Sequence, residues 1–246
     1  MSSNNYDNGV FFEKYRELRE NECNYNNLIE QPAIKKLLPD LSGMTVLDLG
    51  CGYGNNCMDF ISRGAMNVIG IDVSSKMLEI AKKENSNENI EYLQMDMCDI
   101  NILPHKFDLI FSSLAFHYVE NYKKLLHDIR MLLKGNGTLL YSQEHPYTTA
   151  PQKGCSWTRD EYGNKIYSNL SDYMYSGKRK VIFLNEMIEK YHRPLSEIFN
   201  LLIQENFIIK EVVEPIPDEA ALTKRPDLID EFHRTTCIII KAQKNK

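Results

Sequence analysis

The chain predicts an α/β protein built on a doubly wound, mostly parallel sheet, and three observations carry that prediction. Val46-Leu47-Asp48-Leu49 is a short apolar run that ends in Gly50-Cys51-Gly52-Tyr53-Gly54 and is followed by the helical pattern Cys57-Met58-Asp59-Phe60-Ile61. A strand that passes through glycines into a helix forms the binding corner of an open α/β sheet. From about 45 to 142, apolar runs of strand length alternate with segments of helical period; such alternation builds a parallel sheet with right-handed crossovers. The second apolar run, Asn67-Val68-Ile69-Gly70-Ile71, closes on Asp72, 20 positions after Gly52. A carboxylate at that offset can accept hydrogen bonds from a ribose diol at the end of the neighbouring strand.

Each element follows from local pattern. Residues 1–9 are polar and expected to fray, and Phe11, Tyr15 and Leu18 recur at helical spacing over 10–21. A second helix is expected over 28–38, with Pro32 tolerable near its start. After the glycine turn the helix should stop at Arg63-Gly64, with Gly64 supplying the C-terminal cap. Ser74 or Ser75 can cap the next helix, which carries Met77, Leu78, Ile80 and Ala81. Strands three and four read as 90–95 and 107–113. Tyr122, Leu125, Leu126, Ile129, Leu132 and Leu133 share one helix face, Lys134-Gly135-Asn136-Gly137 should end that helix, and 138–142 reads as strand five.

Beyond Ser142 the texture changes. Eight aromatics (Tyr147, Trp157, Tyr162, Tyr167, Tyr173, Tyr175, Phe183 and Tyr191) occur without a dominant period, with 180–184 and 187–191 as a possible hairpin. Regularity returns with a helix through Leu195, Ile198, Phe199 and Leu202, then strands at 207–213 and 236–240. The expected organisation is one domain over 1–246: a helical cap at 10–40, a core at 44–143, an inserted lid at 144–193, and a helix with edge strands at 194–246.

Composition narrows the function. A length of 246 residues suits one α/β domain, and 43% hydrophobic residues supply a core. A formal charge of −5 argues against a general nucleic-acid or membrane-surface binder, and no apolar run approaches membrane-spanning length. The start of the chain has no apolar signal core, and Cys23, Cys51, Cys57, Cys98, Cys155 and Cys237 show no paired spacing. The expectation is a cytoplasmic protein with reduced thiols and no metal site.

Asp48 inside the first strand separates this glycine turn from a pyrophosphate-binding one, where a carboxylate is unwelcome. The run from apolar strand through Asp48-Leu49-Gly50-Cys51-Gly52 to the strand-ending Asp72 resembles motif I of the class I S-adenosylmethionine-dependent methyltransferases, and the rest is closest to their ubiquinone/menaquinone-biosynthesis-like branch. The resemblance implies a seven-stranded Rossmann-like sheet with an antiparallel edge pair, and S-adenosylmethionine as donor with S-adenosylhomocysteine as product. It implies transfer by in-line displacement to a small-molecule acceptor, with no nucleic-acid partner.

It also assigns residues. Gly50, Cys51 and Gly52 would approach the donor with main chain, Asp72 would hold the ribose, and Val73 with Ser74 would frame the adenine edge. Asp96 would accept from the adenine amino group and Met97 would pack on the ring; the other reading of Asp96 is an ordinary carboxylate in a strand-end turn. Asp48 would face the methionine ammonium or stabilise its own turn. Ser112 opens the turn after strand four, and His117 matches a position where many small-molecule members carry histidine, although a histidine in an apolar stretch also serves structure. Tyr15 and Arg19 would close over the donor from the first helix, or lie on a solvated face. Candidate bases are Glu144 and His145 after strand five, and His192; each also fits a capped turn. No Asp/Asn-Pro-Pro-Tyr run follows strand four and no Pro-Cys pair is present, unlike nucleic-acid methylases. A nicotinamide-dependent oxidoreductase and a non-catalytic binding protein of the same fold remain as alternatives. Nothing in the sequence fixes the oligomeric state.

Overall fold

A computed structural model describes residues 7, 9–153 and 157–245. The expectations for 1–6 and for Cys155 lie outside the described residues. The strands are β1 (Thr45–Leu49), β2 (Asn67–Asp72), β3 (Ile90–Gln94), β4 (Phe107–Ser112), β5 (Leu133–Glu144), β6 (Trp157–Arg159), β7 (Lys165–Ser168), β8 (Gly177–Phe183), β9 (Glu186–His192), β10 (Phe207–Val213) and β11 (Cys237–Lys244). The α-helices are α1 (Gly9–Glu20), α2 (Gln31–Leu37), α3 (Asn55–Ser62), α4 (Ser75–Glu84), α5 (Tyr122–Leu132), α6 (Pro146–Thr149), α7 (Leu195–Gln204) and α8 (Glu219–Lys224).

Seven strands form one sheet in the order β10-β11-β5-β4-β1-β2-β3. β5, β4, β1, β2 and β3 run parallel, and β11 is antiparallel to both β5 and β10. This is the doubly wound, mostly parallel fold with a reversed edge. Strand alternation sends side chains to two separate cores. Leu47, Leu49 and Ile110 pack with α5 and α7 through Leu125, Leu126, Ile129, Ile198 and Leu202. Val46, Val68, Leu109 and Phe111 pack with α2, α3 and α4 through Ile34, Leu37, Phe60, Leu78 and Ala81. Each fully buried Leu or Ile contributes roughly 1.5–3 kcal/mol, so the two apolar faces of the central strands hold the helices on both sides.

Local signals place the helix starts. Ser74 Oγ accepts from the Met77 N–H at 3.2 Å and caps α4. Asn121 Oδ1 accepts from the Lys124 N–H at 3.0 Å and caps α5. Gly54 precedes α3 at φ 79°, a left-handed conformation that glycine adopts without strain.

Three expectations are corrected. The helix expected over 28–38 is a π turn, Asn26–Glu30, followed by α2; Pro32 has no N–H to give the preceding turn, and the widened turn sends Glu30 inward. The stretch 134–137 does not form a clean helix stop but the irregular start of β5, with Asn136 at φ 63° and a register shift in the β4 pairing between Phe107 and Leu109. The stretch 144–193 contains two hairpins, not one. β6–β7 turns at Asp160, whose Oδ1 accepts from the N–H groups of Tyr162 and Asn164 at 3.0 and 2.8 Å. β8–β9 turns through Leu184 and Asn185 at φ 51° and 69°, the two positive values of a tight hairpin turn. Among the described residues no helix is long and apolar enough to cross a membrane.

Candidate functional site

A cleft of about 230 Å³ opens at the carboxyl ends of the parallel strands. Its floor is Gly50, Cys51, Gly52 and Tyr53 after β1, Ser113, Leu114, His117 and Tyr118 after β4, and Glu144 at the end of β5. Its roof is Tyr15, Leu18 and Arg19 from α1 with Phe183 and Lys190 from the β8–β9 hairpin. α1 is fixed there by rings: Phe11 meets Phe183 edge-on at 6.0 Å, and Phe12 and Tyr15 lie 6.2 and 6.4 Å from Tyr53. A larger opening of about 340 Å³ lies at the other end of the sheet, around Thr45, Asn67, Glu88 and His105. Ligands of open α/β sheets bind outside the carboxyl ends of the strands, so the smaller cleft is the candidate site.

The glycine turn is tied to β2. The N–H groups of Gly50 and Cys51 both donate to Ile71 O at 2.9 Å, and the Gly52 N–H donates to Asp72 Oδ2 at 3.0 Å. Asp72 Oδ1 accepts from the Ser74 N–H at 2.9 Å. Burial pushes the Asp72 carboxyl up from its ordinary range, opposed by its backbone donors. Gly52 sits at φ 54°, and a Cβ placed on it would meet nothing within 4 Å, so the main chain there is open to an approaching molecule.

The turn after β4 is held from below. Glu30, fully buried, accepts from Ser113 Oγ at 2.7 Å and Ser142 Oγ at 2.5 Å. The Leu114 N–H donates to Ser142 Oγ and O at 2.9 and 3.1 Å. Those bonds support a non-glycine residue at φ 51° on the cleft floor.

A charged group closes the far side. Glu144 Oε1 accepts from Lys190 and lies 3.9 Å from His117 Nε2. His117 Nδ1 accepts from the Glu144 N–H at 3.2 Å, which leaves the ring proton on Nε2. Burial lowers His117 to about 4, with Lys190 and Arg193 adding to the effect against Glu144. Burial acts to raise the Glu144 carboxyl, but His117 and Lys190 outweigh it and the net direction is down.

The expected residues divide by place. Tyr15, Arg19, Gly50, Cys51, Gly52, His117 and Glu144 line the cleft. Asp72, Val73, Asp96 and Met97 sit at the ends of β2 and β3 beyond that lining, where Asp96 Oδ1 accepts from the Cys98 N–H at 2.9 Å. Asp48 does not face the cleft. It shares the Val46 face of β1, points at α3, and accepts from Cys57 Sγ at 3.4 Å, with Oδ1 unpartnered among the described residues. Burial lifts its carboxyl to about 7, helped by Asp72 and Glu30. Ser112 is buried, and its Oγ donates to Leu49 O at 2.8 Å, joining β4 to β1. His145 turns away: Nδ1 accepts from the Tyr147 N–H at 3.1 Å and Nε2 bonds Glu214 at 2.8 Å. His192 is fixed between Thr149 Oγ1 and Tyr173 O, both at 2.8 Å.

Sequence reasoning missed Glu30, Tyr53, Ser113, Tyr118 and Lys190. Period-two alternation in β9 places Lys190 on the same face as Ile188 and His192, which was a readable signal. Of the eight aromatics beyond Ser142, Phe183 lines the cleft. Trp157 is instead held between Lys165 and Arg234 at 4.8 and 5.1 Å, and Tyr175 is exposed.

A family model described as a methyltransferase domain matches residues 40–198. The chain belongs to the S-adenosylmethionine-dependent methyltransferases. The solved structure of a Mesorhizobium loti S-adenosylmethionine-dependent methyltransferase is 34% identical, with a TM-score of 0.80 over 87% of this chain and 97% of that one. A Haemophilus influenzae protein of uncharacterised role is 38% identical over 249 residues, covering 97% of this chain and 96% of its own length. Lactococcus lactis demethylmenaquinone methyltransferase is 33% identical over 117 residues, 45% of this chain and 46% of that enzyme. The methyltransferase therefore uses S-adenosylmethionine as its donor, and the nicotinamide and non-catalytic readings are set aside.

Proposed function

We propose that the cleft binds S-adenosylmethionine and delivers its methyl group to a small-molecule acceptor. The carrying observation is the Gly52–Asp72 corner. Asp72 is held by backbone donors, with the Gly52 N–H on one oxygen and the Ser74 N–H on the other, and the main chain above Gly52 is open. These features fit the donor. Gly50, Cys51 and Gly52 would lie against it, Val73 and Met97 would border its adenine, Asp96 would take the amino group, and Tyr15 and Arg19 would cover it from α1. The side chain of Arg19 makes no hydrogen bond or ion pair among the described residues, which leaves its guanidinium for a carboxylate. The donor supplies an activated methyl carbon; the protein aligns the acceptor with it and excludes water.

A small acceptor suits a cleft of this size, roofed by Tyr15, Leu18, Arg19, Phe183 and Lys190. The name of the Lactococcus relative supports the same class. His117 and Glu144 border the acceptor side, and His145 and His192 are structural. We read 10–40 as the cap, 44–143 as the donor core, 144–193 as the acceptor cover and 194–246 as edge support, in a cytoplasmic protein whose described cysteines are free thiols. Calorimetric titration with S-adenosylhomocysteine and with NAD tests the donor site, and binding of NAD alone would overturn it. Tritium from labelled donor appearing on a macromolecule but on no small molecule of a cell extract would overturn the acceptor class.

A further inference from the structure

Lys190 is an unusual residue for the inner face of a hairpin. β9 turns Ile188, Lys190 and His192 inward, and all three are buried. The hairpin does not need the charge to hold together. β8 and β9 pair over seven positions, and Arg179, opposite Lys190, ties the hairpin down through the carbonyls of Ala150 and Tyr175. Burying an ammonium against a carboxylate returns little net stability over an apolar side chain of the same size. The ion pair is explained by what it does in the cleft.

Glu144 presents one committed oxygen and one open one. Oε1 takes Lys190 and faces His117 Nε2 at 3.9 Å, while Oε2 has no hydrogen bond among the described residues and the residue lines the cleft. Among the described residues, three titratable groups face this carboxylate: His117 after β4, Lys190 on β9, and Cys237 on the adjoining β11, its register partner. Burial pushes the Cys237 thiol up, so it is uncharged. His117 is neutral above about pH 4, which leaves Lys190 as the cation on Glu144 at neutral pH. The Lys190 ammonium also lies 5.9 and 5.6 Å from the rings of Tyr118 and Phe183, which keep it supported once Glu144 gains a proton.

Resting on the methyl-transfer reading of the cleft, we propose that Lys190 is a positioning residue that holds Glu144 as a carboxylate with Oε2 open, so that the pocket takes acceptors whose nucleophile carries a proton, a hydroxyl or an amine. The acceptor's oxygen or nitrogen bonds to the methyl carbon, the carbon–sulfur bond breaks with its electron pair left on sulfur, and the acceptor's proton passes to Oε2 and then to solvent. A sulfonium charge and a carboxylate charge disappear together, and no other reactant is needed.

The test is a pH titration of side-chain 13C-labelled glutamate by NMR with S-adenosylhomocysteine bound, with Glu144→Gln assigning the resonance. Lys190→Met should raise the Glu144 midpoint by about 1–3 pH units, the effect of removing an opposite charge at contact distance. Lys190→Arg should keep it near the wild-type value, and Lys190→Gln replaces the Met variant if that one does not fold. An unmoved midpoint overturns the role of Lys190. Phenol and aniline should shift the Glu144 signal where anisole and N,N-dimethylaniline do not; equal responses, including none, overturn the acceptor class. Calorimetry on the wild type separates the two levels. Absent binding of S-adenosylhomocysteine defeats the donor reading, whereas normal binding with an unmoved midpoint defeats only this inference.

Discussion

Asp48→Asn should change how stability depends on pH. The Asp48 carboxylate is fully buried, one oxygen has only the weak Cys57 thiol as donor and the other has none among the described residues. Burial accordingly lifts it to about 7, against an unfolded value near 3.9. Between roughly pH 5 and 7 the folded chain holds a proton there and the unfolded chain does not. Wild-type stability therefore falls as pH rises through that window, by about 1.36 kcal/mol per pH unit, or about 2–3 kcal/mol in all. Asparagine keeps the shape and does not titrate. Its buried amide costs about 1–3 kcal/mol, but equally at every pH. The stability of Asp48→Asn relative to wild type should thus improve by about 2–3 kcal/mol from pH 5 to pH 8. Urea denaturation of both proteins at the two pH values measures it, and contributions from groups that do not interact with Asp48 cancel. A difference that is the same at both pH values, or that moves the other way, would refute the reasoning.

Further outcomes follow from the same geometry. Asp72→Ala removes the partner of the Gly52 and Ser74 N–H groups and the proposed ribose ligand, and should weaken S-adenosylhomocysteine binding by about 1–3 kcal/mol, roughly 5- to 150-fold, in calorimetry. Gly54→Ala puts a Cβ 2.1 Å from the Tyr92 hydroxyl at φ 79°; a loss of about 2 kcal/mol or more in denaturant melts is expected. Amide exchange in α1 should slow when S-adenosylhomocysteine is added, if this helix covers the donor; equal exchange with and without ligand would remove that role. Trp157→Ala, on a hairpin away from the cleft, should leave donor affinity unchanged, whereas Phe183→Ala should speed exchange in α1 by removing the Phe11 contact.

The glycine corner was legible because its determinants are local. Gly50, Gly52 and Gly54 announce positive φ, and Asp72 is placed by counting along two strands that pair in register. Asp48 was expected to face the methionine ammonium or its own turn, but its direction follows from β1 alternation: whichever way Leu47 and Leu49 face, Asp48 faces the other, toward Cys57. The far side of the cleft was hardly legible. Glu144 and Lys190 lie 46 positions apart, and Glu30 reaches Ser142 across 112, contacts that no local pattern encodes. The aromatic content beyond Ser142 suggested a cover over the cleft, yet Trp157 stacks between cations elsewhere and Phe183 alone of the eight reaches the lining.

The sequence by itself determined the layered α/β fold, the strand-to-helix corner at residues 46–61 and the carboxylate that closes β2, because hydrophobic period and glycine placement act over a few residues. Tertiary structure decided which histidines line the cleft. His117 is in the cleft, while His145 and His192 are consumed by capping and hairpin anchoring. It also decided the state of Glu144, since the charge that faces it comes from a hairpin folded back over the sheet. Side-chain chemistry is written in the chain, but burial and the nearest opposite charge set what that chemistry does, and both arise only when distant segments pack together.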